Sequence, residues 1–318
     1  MLKKIVFIVL LLLQVATAQA QEYPSRPIKF IIPNPPGGAT DLVARALGNG
    51  LAAELGQPVV LDNRGGASGM VGAQVAMTSP ADGYTIFLAA TSVMATNVAM
   101  FSKLPYDPIT SFAPVSLLTM QPLLIAVTPA LPVSSLGELF ALARSKPGQL
   151  NFAGTGASAS LPLQHLLHLA GVKLQEIPYA GGGPGLTALI AGQVEVMPVT
   201  LGTVYPQVLA KKIRGLAVTS ATRSSLAPEL PTVAELGFPG YSATIWNGLV
   251  VPSGTPRDII DRLNRATIKV MSSPELKAQF TKAGIEVATS TPEKLGEHIR
   301  AEIVHWKKVA SDSGIKPE

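Results

Sequence analysis

Two glycine-rich phrases near the start of the chain hold residue types suited to an anion. The first is Pro35-Pro36-Gly37-Gly38-Ala39-Thr40-Asp41. The second is Asn63-Arg64-Gly65-Gly66-Ala67-Ser68-Gly69, followed by Asp82-Gly83-Tyr84-Thr85. Each sits between a β-like run and an amphipathic helical run. Glycine lets a ligand approach the backbone closely, and a helix N-terminus offers N–H groups with no partner inside the helix. Two such turns together could hold a carboxylate without any lysine or arginine. Gly38 and Ala39 would supply backbone N–H groups, while Ser68 would cap its helix or donate its hydroxyl. Asp41 would not touch an anion; it would cap the helix or recognise a cationic group on the ligand. Arg64 reads equally as an anion clamp and as an exposed surface arginine.

Two later turns have the same character. Gly154-Thr155-Gly156-Ala157-Ser158-Ala159 fits the outline G-x-G-x-x-A, and Glu176 follows twenty positions after Gly156. That spacing is the outline of a dinucleotide-binding turn. The motif is short, however, and opens the second unit of the chain rather than a complete nucleotide-binding half. The favoured reading makes Thr155, Ser158 and Ser160 hydroxyl donors lining a cleft. Tyr179-Ala180-Gly181-Gly182-Gly183-Pro184-Gly185 lacks the Gly-Lys-Ser/Thr ending of a phosphate loop, so nucleoside triphosphate binding is unsupported.

A catalytic set is missing. No G-x-S-x-G nucleophile elbow occurs, and Gly66-Ala67-Ser68-Gly69-Met70 misses it by one position. His165 and His168 read as packed histidines on an apolar helix. His298, Glu302 and His305 share a helical face, and the expected reading is a solvated face rather than a metal site. The chain has no cysteine, which excludes disulfides, thiolate metal ligands and cysteine nucleophiles. No cofactor and no metal are expected.

These turns need a scaffold, and the chain alternates strand-like and helix-like segments. Strands at 28–32, 59–61 and 85–89 with helices at 40–55 and 68–77 give β-α-β-α-β, the pattern of a parallel sheet. The theme restarts with strands at 123–127, 150–153, 175–178, 195–199 and 216–219 and helices at 136–145 and 160–170. A strand at 245–251 and three helices finish the chain. The expectation is two α/β units, with crossings near 116–128 and 240–252. A cleft between them, at the carboxyl ends of the strands, is where a ligand binds.

Charge and targeting narrow the setting. Lys+Arg number 25 against 20 Asp+Glu, an excess of 5. The first twenty residues hold Lys3 and Lys4 and no acid, so without them the excess falls to 23 minus 20, or 3. There is no dense basic tract, and nucleic-acid binding is not expected. Lys3-Lys4, the apolar run over 5–16 and Ala18-Gln19-Ala20 form a signal peptide, with cleavage expected after Ala20. The apolar run is too short to span a bilayer, which takes roughly 20 residues.

The ordered phrases resemble one family. Pro24-Ser25-Arg26-Pro27-Ile28, the two opening glycine phrases, Asp82-Gly83-Tyr84-Thr85, Pro178-Tyr179 with Gly181-Gly182-Gly183, and Gly192-Gln193-Val194 occur in sequence. Pro231-Thr232-Val233-Ala234-Glu235-Leu236-Gly237, Trp246-Asn247-Gly248 and Pro252-Ser253-Gly254-Thr255-Pro256 follow. In this order they resemble the substrate-binding proteins of tripartite tricarboxylate transporters, the Bug-type periplasmic receptors. The resemblance implies a two-domain α/β Venus-flytrap of the type II periplasmic-binding-protein-like fold. It implies a signal peptide at 1–20, a first domain of 21–121 and 246–318, and a second of 122–245. It implies a monomeric periplasmic receptor, not an enzyme, that passes a small organic carboxylate to membrane permease subunits. By motif, the contacts would come from Pro36, Gly37, Gly38, Ala39, Asp41, Ala67 and Ser68 on one side. Thr155, Gly156, Ser158, Tyr179, Ala180 and Gly181 would supply the other. Ala180 stands where a lysine is common, and the 154–160 turn departs from the family's pattern. An exported α/β hydrolase or lyase acting on a small anion is the alternative.

Overall fold

The computed structural model describes residues 23–315 and 317. The signal peptide expected at 1–20, with its cleavage site, lies outside the described residues.

The first unit grows from β1 (Ile28–Ile32), buried at every position except Lys29. Helix α1 (Ala39–Leu55) follows the first glycine turn. It turns Val43, Ala44, Leu47, Leu51 and Leu55 inward at helical spacing, and Gly56 ends it in the left-handed conformation at φ 69°. Next come β2 (Val59–Asn63), a 3-10 turn over Ala67–Gly69, α2 (Met70–Met77) and β3 (Thr85–Ala90), whose six residues are all buried. A run read as strand on both faces belongs in a covered parallel sheet, and β1 does pair in parallel with both β2 and β3. A π-helical turn over Ser92–Thr96 leads into the short α3 (Asn97–Met100).

Strand β4 (Phe112–Val127) then spans 16 residues. Only its last part, 123–127, is legible as a strand in the sequence. Pro114 and Pro122 lack the ladder N–H and obscure the rest. The strand tolerates them with register shifts between Pro114 and Ser116 and between Leu117 and Thr119.

The second unit contains α4 (Leu136–Ser145), β5 (Asn151–Gly154), α5 (Ala157–Leu169), β6 (Gln175–Pro178), α6 (Gly182–Ile190), β7 (Val196–Thr200), α7 (Leu201–Leu209) and β8 (Arg214–Val218). The chain returns through β9 (Thr244–Pro252), α8 (Arg257–Met271), α9 (Pro274–Lys282), β10 (Glu286–Val287) and α10 (Pro292–Asp312).

The strand order is β2-β1-β3-β9-β4-β7-β5-β6, with β8 and β10 also on β4. Strand β4 therefore serves two sheets. From Phe112 to Pro122 it pairs antiparallel with β9, and from Leu123 to Val127 with β7 and β8. The change of partner at Leu123 marks where the two units meet. Helix α10 ties the first unit together from outside. Its Glu302 Oε2 accepts the indole N–H of Trp246 at 3.1 Å and of Trp306 at 3.0 Å. Both rings are fully enclosed, and each buried aromatic contributes about 2–3 kcal/mol by area. So the 298–305 face is only partly solvated: His305 is exposed, Glu302 is half-buried, and half-buried His298 stacks edge-on against Trp246 at 4.8 Å.

Candidate functional site

A cavity of about 450 Å³ opens between the two units. Its wall takes Asn34, Gly37, Gly38, Ala39 and Thr40 from the first glycine turn and Ala90, Thr91 and Ser92 from the end of β3. Thr155, Ser158, Ala159, Gly181, Gly182 and Gly183 come from the second unit, with Thr200 and Thr203 beside them. Gln121, Ile245 and Asn247 of β4 and β9 also line it. Among the described residues, no acid, base, histidine or tyrosine lines this wall. A second groove of about 380 Å³, lined by Ser220, Arg223, Lys277 and Gly284 among others, shares Gln121 but reaches none of the glycine turns.

Four of the described helices start at the cavity: α1, α5, α6 and α7. Their N-caps are Gly38, Gly156, Gly181 and Thr200, and no side chain caps any of them. Away from the cavity, α4, α9 and α10 are capped by Ser135, Ser273 and Thr291, while α2, α3 and α8 have no side-chain cap. The uncapped N–H groups and the positive end of each helix dipole are thus left at the cavity, where an anion is favoured without a charged side chain.

The first turn is held by Asp41. Its carboxylate accepts from Gly37 N–H at 3.0 Å, Arg45 Nε at 2.8 Å and Asn63 Nδ2 at 3.0 Å. Partial burial pushes this carboxyl up. The bonds from Arg45, Gly37 and Asn63 together outweigh that, and it titrates below the ordinary aspartate value. Asn63 Nδ2 also donates to the Asn34 carbonyl at 3.0 Å. Asp41 is therefore beneath the turn, 3 % exposed, and is not on the wall.

The second glycine phrase buttresses the first. A Cβ on Gly65 would lie 3.0 Å from Pro35 Cδ, and one on Gly69 would lie 3.1 Å from Pro33 Cβ. Ala67 and Ser68 adopt left-handed φ of 46° and 52°, and the Ser68 carbonyl accepts from Asn97 Nδ2 at 3.1 Å. Neither residue lines the cavity. Arg64 is paired with Asp62 at 2.8 Å on the surface.

In the second unit the structure brings Thr155, Ser158 and Gly181 to the wall, and Gly37, Gly38 and Ala39 face them from the first. Pro36, Gly156, Tyr179 and Ala180 do not line it. Tyr179 packs against the apolar cluster of the second unit. Ser160, expected as a cleft hydroxyl, is 2 % exposed and donates to Glu176 Oε1 at 2.6 Å. Gln164 Nε2 donates to Glu176 Oε2, also at 2.6 Å. Both oxygens of the acid that completes the dinucleotide outline are thus taken up inside the fold.

Sequence reasoning missed Asn34, Thr91, Ser92, Gln121, Thr200, Thr203 and Asn247. Thr91 and Thr200 had a readable signal, since Thr91 follows and Thr200 closes the carboxyl end of an apolar strand. Gln121 and Asn247 had none, because they lie within strands.

The profile described as "Tripartite tricarboxylate transporter family receptor" matches residues 43–315. Protein BugT of Bordetella pertussis is 35% identical over 304 residues, spanning 95% of this chain and 93% of its own. The solved structure of R. palustris Rpa4515 with adipate superposes with a TM-score of 0.87 at 35% identity, covering 93% of this chain and 100% of that one. MatC (Rpa3494) from Rhodopseudomonas palustris, with bound malate, gives 0.81 at 31% identity, covering 90% and 99%. The fold is thus the two-domain α/β arrangement of the periplasmic solute-binding proteins. Profile, sequence and architecture agree that this chain belongs to the tripartite tricarboxylate transporter receptor family, as a solute-binding receptor and not an enzyme.

Proposed function

We propose that this protein captures a small organic carboxylate in the periplasm and delivers it, as a monomer, to the permease subunits of a tripartite tricarboxylate transporter. The observation that carries this reading is the set of four uncapped helix N-termini, α1 from one unit and α5, α6 and α7 from the other, opening on one cavity without charged side chains. The relatives bound to adipate and to malate support a carboxylate as the class of ligand.

The proposed contacts are Gly37, Gly38, Ala39, Thr155, Ser158 and Gly181. Pro36, Gly156 and Ala180 flank them and come into reach as the cleft closes. Asp41, Ala67, Ser68 and Tyr179 position the turns. The domains divide at 121/122 and 245/246, beside the point where β4 changes partners. Ligand bridging the two domains shifts the population toward a closed form, and the permease recognises that form. The segment at 1–20 directs export and is removed after Ala20.

Calorimetric titration of the mature protein with di-, tri- and hydroxycarboxylates, aromatic acids and acidic amino acids tests the reading. At least one acid is expected to bind with a Kd of about 1 µM or tighter, equivalent to about −8 kcal/mol. A folded, ligand-free protein silent to the whole panel would refute it.

A further inference from the structure

Strand β9 places Asn247 on the cavity wall and beside Thr119, its register partner on β4. Both residues are 0 % exposed. Asn247 Nδ2 donates to Thr119 Oγ1 at 3.1 Å, while Asn247 Oδ1 is buried with no partner. The Thr119 hydroxyl accepts or donates equally well. With the amide turned over, Thr119 O–H donates to Oδ1 and the NH₂ group is left over instead. In either orientation Thr119 satisfies one end of the amide, and the other end stays unpaired on a residue that lines the cavity. Leaving a buried polar group without a partner is costly, so the occupant of the cavity is the natural source of one.

From this we infer that Asn247, held by Thr119, is a specificity-determining residue that reads a second polar group on the ligand, away from the carboxylate at the glycine turns. The amide NH₂ donates to a second carboxylate; the amide oxygen accepts from a hydroxyl. The relatives already hold a dicarboxylate and a hydroxydicarboxylate; what Asn247 adds is discrimination against an alkanoate with a plain tail. Thr119 is the positioning residue. Trp246, the neighbour on the opposite face of β9, points to Glu302 and takes no part. The inference rests on the reading of the cavity as a carboxylate site.

The test titrates the mature chain with adipate, malate and hexanoate, the last being adipate without its second carboxylate. Wild type is expected to prefer one of the bifunctional acids over hexanoate by tenfold or more. Asn247→Leu should bring that ratio to within about threefold, by weakening the bifunctional acid while leaving hexanoate little changed. Asn247→Asp should weaken adipate further, because two carboxylates then face each other. Thr119→Val should give an intermediate loss, since it frees the amide without removing it. Thermal unfolding checks each variant, and Thr119→Val carries the test should Asn247→Leu not fold. Discrimination that survives in the folded variants overturns the inference alone. A wild type that binds hexanoate as tightly as the others also overturns it, while leaving the carboxylate reading intact. A wild type that binds no acid of the broad panel removes both.

Discussion

Glycines do opposite things in two regions of this molecule. At the mouth of the cavity, a Cβ added to Gly37, Gly38, Gly181, Gly182 or Gly183 would meet nothing within 4 Å. At the seam between the units, a Cβ on Gly202 of α7 would lie 1.7 Å from the Ala283 carbonyl oxygen. One on Gly284 would lie 2.5 Å from Gly202 Cα. The seam glycines are absent side chains that let two backbones touch. The mouth glycines are absent side chains that leave room for something outside the chain. The difference in their surroundings lies in what the fold brings opposite them.

The sharpest way to break the contrast is Gly202→Val. The valine meets backbone that cannot swing away, and overpacking of this kind costs about 3 kcal/mol. The unit-to-unit contact should be forced apart, with a lower Tm and weaker ligand binding measured together on the same preparation. A variant as stable as wild type would show that the seam is loose and that the two glycine classes are one.

Gly183→Ala should do the reverse. Gly183 sits in the first turn of α6 with open space around it. Alanine favours helix over glycine by up to about 1 kcal/mol. Denaturant unfolding should therefore show equal or higher stability, while calorimetry shows ligand affinity down by about tenfold as the methyl fills the approach. Loss of stability with affinity intact would refute the assignment of this glycine to the ligand.

A smaller effect belongs to the support beneath the mouth. Asp41→Asn removes the charge that holds Gly37, Arg45 and Asn63 and should cost about 1–2 kcal/mol at neutral pH. The native carboxyl titrates below its unfolded value. Its contribution is therefore present above the ordinary aspartate value of about 3.9 and is lost as pH falls through the lower folded value. Unfolding curves of the two proteins should stay equally separated from pH 5 to 8 and converge below about pH 4. A gap that changes between pH 5 and 8 would assign it to another group.

The smallest effect expected is that of pH on binding itself. With no ionisable side chain among the described residues of the wall, affinity for a fully ionised acid should change less than about twofold between pH 6 and 8. A steep slope in that range would reveal a titrating group that reaches the ligand on closure.

Much of the positioning machinery was legible because it is local. A strand, a Pro-Gly-Gly turn and an amphipathic run around Val43, Leu47 and Leu51 announce β1, the turn and α1 without reference to the rest of the chain. The crossing strand was half-hidden, because Pro114 and Pro122 contradict the local strand signal and only pairing with β9 overrides it. The family motif puts Asp41 at the cleft, and residue type puts Ser160 there. Their hydrogen bonds to Arg45 and Glu176 draw them into the fold instead.

By itself, the sequence determined that glycine-led turns stand at strand ends and that the ordered phrases resemble one receptor family. Both follow from backbone preferences and residue order that act over a few positions. The tertiary structure alone decided which side chains form the wall. Asn247 meets Thr119 across 128 positions, and Gly202 meets Gly284 across a seam. Strand register and the packing of distant elements set such contacts, and no short stretch of sequence contains them.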